Sequence, residues 1–164
     1  NHSVGGLHFR NNSNADQMVI DSNGIVTKPN QPIASLTCSN SLGTGNILQT
    51  GTVSQNNGNH WNSSNHRFVC PVAGFYYCAM MIMSNNSNTT MDADLLKNGN
   101  IGDGTNSNFF APYQAPTGGS YNQISGSCIL YCAAGDYLQF RLNSGSVYAG
   151  GGGRHSHMTF ALFA

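Results

Sequence analysis

Near the end of the chain, "GGGGRHSHMTFALFA" sets His155 and His157 on either side of one serine. Side chains two apart on a β-strand point the same way. The pair is therefore either a polar couple on a wet face or part of a site that needs several imidazoles at once. Asp92 and Asp94 in "MDADLL" share a strand face by the same rule, and such a pair suits acid–base work or a cation, or simply a solvated polar face. Five cysteines stand at 38, 70, 78, 128 and 132, with no close Cys-x-x-Cys spacing. Four of them fall in apolar, strand-like runs, which reads as buried free thiols, with a disulfide framework as the alternative. Cys128 and Cys132 are four apart in one run and lie about 13 Å apart by strand rise, beyond the roughly 4 to 7 Å between Cα atoms that a bridge requires. His2, His8, His60 and His66 are dispersed, and no Gly-x-Ser-x-Gly or phosphate-cradling pattern accompanies them. Catalysis has no positive signal, and the chain reads as a non-enzyme.

Strands must position these residues. Apolar residues recur at no helical period over a long window, whereas short runs bounded by Gly, Pro, Asn or Asp fill the chain: "PIASLTCS", "HRFVCP", "GFYYCAMMIM", "MDADLLKNG", "QISGSCILYC", "DYLQFRLN" and "HMTFALFA". Many short strands mean an all-β sandwich or barrel. "QMVIDSNGIVTK" reads as strand, turn, strand, and the prolines of "TKPNQPI" interrupt pairing. Residues 1–30 are thus expected to form a β-rich appendage and 31–164 one sandwich domain.

Composition narrows the function classes. Charged residues are 7 % of the 164 and sum to zero, so nothing draws the chain to nucleic acid. No run approaches the roughly 20 apolar residues of a membrane helix, and membrane insertion is not expected. Polarity comes from Asn, Ser and Gly clusters, turn formers that sit between the apolar runs.

Four ordered motifs carry a resemblance. "RFVCPVAGFYYCAMMIM", "LLKNG", "CILYCAAGDYLQFRL" and "SHMTFALF" resemble, in this order, segments of the globular head of complement component one, subcomponent q, whose family includes the tumour necrosis factor group. Cys78 departs from it, standing where an aromatic is usual. The resemblance implies a ten-stranded jelly-roll sandwich that assembles into trimers. It places Met158, Phe160 and Leu162 in the core, leaves His155, His157, Thr159 and Ala161 on the trimer-facing side, and puts Tyr77, Ala79, Leu130 and Thr159 in the interface. If His155 and His157 lie near the threefold axis, six imidazoles meet there, enough for an octahedral transition metal. Otherwise they bond water or backbone beside the Gly150–Gly153 loop.

The first residues are similar to something else. "LHFRNNSNADQMVIDSNGIVTKPNQPI" resembles a segment of tail-fibre and other virion proteins of bacteriophages, in which three chains wind short β-segments about one axis beneath a terminal head. Fibres of this kind hold iron between His-x-His pairs, which makes iron the expected metal. A secreted complement-like head normally follows a collagen Gly-x-y stalk, and these residues contain none. The combined resemblance implies a homotrimeric virion protein, assembled in the host cytoplasm and joined to other virion proteins through its stem. It would be a tail-fibre head that binds a host-surface glycan or protein, or else a head-decoration or fibre-joining protein without receptor binding. Neutral loops rich in amides and aromatics suit a sugar surface. The candidates are Trp61, the only tryptophan, in "NNGNHWNSSNH", and Phe109, Phe110, Tyr113 and Tyr121 in "NSNFFAPYQAPTGGSY"; packing within a trimer is the other use for these rings.

Overall fold

The computed structural model describes residues 6–39, 46–86, 90–101, 109–115, 118–148 and 155–163, and among them there is no helix. The chain divides into two compact units between Gln31 and Pro32.

The first unit is a three-stranded antiparallel sheet of β1 (Leu7–Arg10), β2 (Asp16–Ile20) and β3 (Val26–Thr27). Its two turns are set by side chains that stand in for backbone acceptors. Asn11 Oδ1 accepts from the amides of Ser13 and Ala15, and Asp21 Oδ1 accepts from those of Asn23 and Ile25. The second turn closes on Gly24 at φ 80°, a region glycine enters without steric cost. On the strands, Asp16 binds Arg10 Nε at 2.7 Å and His8 Nδ1 at 3.0 Å. The Arg10 bond first, then that of His8, lowers the Asp16 pKa. The unit leaves Leu7, Phe9, Ile25 and Val26 exposed. Three short strands cannot enclose a core of their own.

The second unit is a two-layer sandwich. One sheet has the order β12 (Asn122–Cys132), β9 (Gly74–Ser84), β14 (His157–Leu162), β4 (Ile33–Cys38), β6 (Thr50–Asn57). The other runs β11 (Tyr113–Gln114), β10 (Met91–Lys97), β13 (Tyr137–Ser144), β8 (Arg67–Val69), β7 (Trp61–Asn62), with β5 (Asn46–Ile47) also paired to β13. Every pairing is antiparallel, and the chain passes repeatedly from one sheet to the other, the path of a jelly roll. Three of the eleven strands among the described residues of this unit are two-residue pieces, so the ten-strand expectation and this count differ only in short segments.

Alternation decides which side chains enter the core. On β9, Tyr76, Cys78, Met80, Ile82 and Ser84 are buried while the intervening residues are not. Met158 and Phe160 do the same on β14. Phe160 is the centre of the aromatic packing, with Trp61 at 5.6 Å, Phe68 at 5.5 Å and Phe140 at 5.2 Å between ring centroids. Such pairs contribute roughly 0.5–1.5 kcal/mol each beyond the area they bury.

Two of the sequence motifs meet at one end of the sandwich. Asn98, which follows β10 at φ 54°, bonds Asp136 Oδ1 through its side-chain amide at 2.7 Å, and its Oδ1 accepts from Tyr137 N. Asp136 Oδ2 in turn accepts from Ala133 N, closing the Ala-Gly-Asp turn. The Asn98 bond is the main reason the Asp136 carboxyl lies below its ordinary pKa.

Candidate functional site

The opening histidines flank a residue that is fixed. Ser156 is fully buried; its Oγ donates to Tyr148 O and accepts from Met83 N, each at 3.1 Å. His157 begins β14 on the face away from the core, opposite Met81 on β9 and Thr37 on β4. His155 precedes the strand in an exposed turn, and its ring stacks on Tyr148 with 6.0 Å between centroids and 10° between planes. Tyr148 lies 5.7 Å from Tyr121. Among the described residues of one chain, no three His, Cys, Asp or Glu side chains are grouped to hold a metal. The Gly150–Gly153 loop lies outside the described residues, as does part of the "NSNFFAPYQAPTGGSY" segment.

The face on which His157 stands is unusual in its chemistry. Cα partners align Ile129, Tyr77, Ala161 and Ile33 in one row across β12, β9, β14 and β4, and Ser127, Ala79, Thr159 and Ser35 in the next. Toward one end, Phe75 and Tyr131 pack edge to face at 5.7 Å, with Phe163 exposed just beyond β14. None of the five strands contains Asp, Glu, Lys or Arg. The charged strand residues of the sandwich, Arg67, Asp92, Asp94, Lys97 and Arg141, all belong to the other sheet. A sheet that faces water on one side ordinarily alternates apolar with polar or charged residues; this one is apolar or neutral on both faces.

Several expected site residues lie elsewhere. Trp61 is a core residue: it is 4 % exposed, stacks on Phe160, and donates from Nε1 to Thr50 Oγ1 at 3.0 Å. Its polar neighbours in sequence form the turns around β7, whose pairing with β8 turns the ring inward. It offers no ring to a receptor. Phe109 and Phe110 are only half-exposed and pack against the core, Phe110 edge-on to Phe140 and so close to Gly126 that any side chain at 126 would collide with it. Leu130 is also corrected: it opposes Tyr76 and packs on the core side, so it cannot share the outer face with Tyr77, Ala79 and Thr159. The outward neighbours on β12 are Ile129 and Tyr131. Tyr113 and Tyr121 remain largely exposed, at 66 % and 55 %.

The carboxylate pair is used structurally. Asp94 is buried, and its Oδ2 accepts short bonds from Arg141 Nη2 and Asn143 Nδ2, each 2.6 Å. Asp92 takes a longer one from Asn143. Both Asp94 bonds tie neighbouring β10 and β13 together.

The family model of the C1q domain matches residues 33–163, nearly the whole sandwich. The chain belongs to the C1q-domain family. Solved structures similar to this C1q domain include murine APRIL at pH 5.0, with 12 % identity over 81 % of this chain and 99 % of that one at a TM-score of 0.61. The globular domain of zebrafish complement 1qA is 13 % identical over 81 % and 96 % of the two chains, with a TM-score of 0.59. Eiger TNF from S. frugiperda is 12 % identical over 82 % and 93 %, with a TM-score of 0.61. At these identities the likeness is one of fold.

Proposed function

We propose that the chain is a trimeric, non-enzymatic recognition head at the tip of a bacteriophage tail fibre. The observation that carries the trimer is the uncharged outer face of the five-stranded sheet, with Phe75, Tyr77, Ile129, Tyr131 and Phe163 exposed on it. Apolar clusters of this kind mark association surfaces. The first unit argues in the same direction, since its exposed Leu7, Phe9, Ile25 and Val26 need other copies to cover them. Three chains would associate through both units, and the first unit joins other virion proteins. The resemblance of residues 7–33 to phage fibre segments supports the virion as the location.

Host recognition falls to aromatics at one end: exposed Tyr121, half-buried Tyr148 and exposed His155 in a ladder of rings, together with exposed Tyr113. A sugar's apolar face stacks on such rings while the nearby side-chain amides of Gln114 and Gln123 bond its hydroxyls. His157, outward on the central strand, is the residue that three chains would direct toward a common axis, where imidazole nitrogens suit iron. Sedimentation equilibrium of the purified chain tests the assembly, and a stable monomer at micromolar concentration overturns it. Competition of the purified trimer with infecting phage for susceptible cells tests the recognition. Undiminished adsorption at saturating trimer refutes the receptor role.

A further inference from the structure

Four of the five thiols fall into two facing pairs. Cys78 on β9 and Cys128 on β12 are Cα partners in the antiparallel ladder and occupy core-facing positions of their strands. Directly opposed residues in such a ladder have Cα atoms about 4.5–5.5 Å apart. That lies inside the roughly 4.4–6.8 Å that a disulfide spans. The second pair, Cys70 and Cys132, belongs to the core, and both of its members are fully buried. Cys78 is fully buried too, whereas Cys128 is half-buried on the edge strand of its sheet.

We propose that Cys78 and Cys128 form a disulfide on exposure to a small-molecule disulfide such as oxidised glutathione, with Cys128 as the entry point. The Cys128 thiolate attacks one oxidant sulfur, the oxidant's S–S bond breaks, and one glutathione leaves as thiolate and takes up the proton that Cys128 released. Cys78 then loses its proton and attacks the Cys128 sulfur. The mixed disulfide breaks, a Cys78–Cys128 bond forms, and the second glutathione leaves with that proton. Two protein thiols are oxidised and one oxidant disulfide is reduced to two thiols. The order of attack follows from reach: Cys128 is half-buried on an edge strand, whereas Cys78 is fully buried on the strand beside it. In a reducing cytoplasm the pair stays open. Once the particle leaves the cell, closure would tie edge strand β12 to β9 directly beneath Ile129 and Tyr131 of the outer face.

The test uses the whole chain, purified reduced. It is incubated natively with oxidised glutathione, quenched with an alkylating reagent and mapped without reduction. The expected products are a Cys78–Cys128 linked peptide in most chains and, earlier in time, a glutathione adduct on Cys128. In the Cys78→Ser variant the adduct should accumulate. The time course of the unmodified chain reads the same order if that variant does not fold. Cys38 on β4, its thiol pushed up to about 12 by burial, should remain unlinked. Oxidation should also raise the melting temperature by roughly 5 °C or more, reversibly with dithiothreitol. Failure to form the linked peptide, linkage only in urea, or first modification at Cys70 or Cys132 would overturn the proposal.

Discussion

Replacing Ile129 separates assembly from folding. Its side chain is 49 % exposed on the outer face of β12, beside Tyr77 in the ladder, so burial in an interface has about half the residue still to cover. Full burial of an isoleucine is worth roughly 1.5–3 kcal/mol, which leaves about 1 kcal/mol per copy and about 3 kcal/mol per trimer. At 1.4 kcal/mol per factor of ten, Ile129→Ala should weaken trimer formation by about 100-fold. Ile129→Asp goes further, because three carboxylates must then be desolvated without partners, at several kcal/mol each. It should yield a monomer across the micromolar range. Neither change touches the core, so the isolated head should lose only about 0.5 kcal/mol or less. Leu130→Ala, one residue along and facing inward, is the mirror control: thermal stability falls while the trimer mass is retained. Sedimentation velocity over a dilution series, paired with thermal melts followed by circular dichroism, reads both quantities. An Ile129→Asp chain that sediments like its parent would refute the assignment of this face to the interface.

Trp61→Ala should cost about 3–5 kcal/mol of stability, read by denaturant titration, because it empties the space against Phe160 and removes the indole N–H that Thr50 accepts. Competition for cells by the remaining folded protein should be unchanged, as expected of a core ring. His66 accepts from Thr50 N at Nδ1, and burial holds its pKa below 6.5. The unfolded chain therefore binds this proton first, so the stability His66 contributes is complete above about pH 6.5 and is lost as pH falls from there toward the lowered folded value. His66→Asn, chosen because asparagine tolerates the φ of 53°, should flatten the fall in melting temperature between pH 8 and 5.5; an unchanged slope rejects this account. Elemental analysis of the trimer should find about one iron per three chains, lost in His157→Ala, with a melting temperature lowered by chelator only in the parent. Metal content far below that, in a protein indifferent to chelator, would leave the histidines as ordinary polar residues.

Much of the fold lay open in the sequence because strand alternation is a local signal. The inward Met158 and Phe160 and the outward His157 and Thr159 follow from "HMTFAL" alone once its strand is assigned to a sandwich. The stretch "CILYC" shows where the signal ends. It is apolar on both faces, so period two sorts Cys128, Leu130 and Cys132 from Ile129 and Tyr131 without saying which set is inside. Only the register against β9, which brings Leu130 opposite the buried Tyr76, decides it. Trp61 failed for a different reason: its neighbours are turn formers, and the contact that buries it, Phe160, lies near the other end of the chain. Even the missing charge was present in the letters, since four of the apolar runs, those of β4, β9, β12 and β14, carry no Asp, Glu, Lys or Arg. Read along the chain they alternate with runs that do, and the pattern looks like noise. The jelly-roll path gathers these four, with the polar but uncharged β6, into one sheet and sends the charged strands to the other, and that sorting turns a low overall charge into one uncharged sheet face.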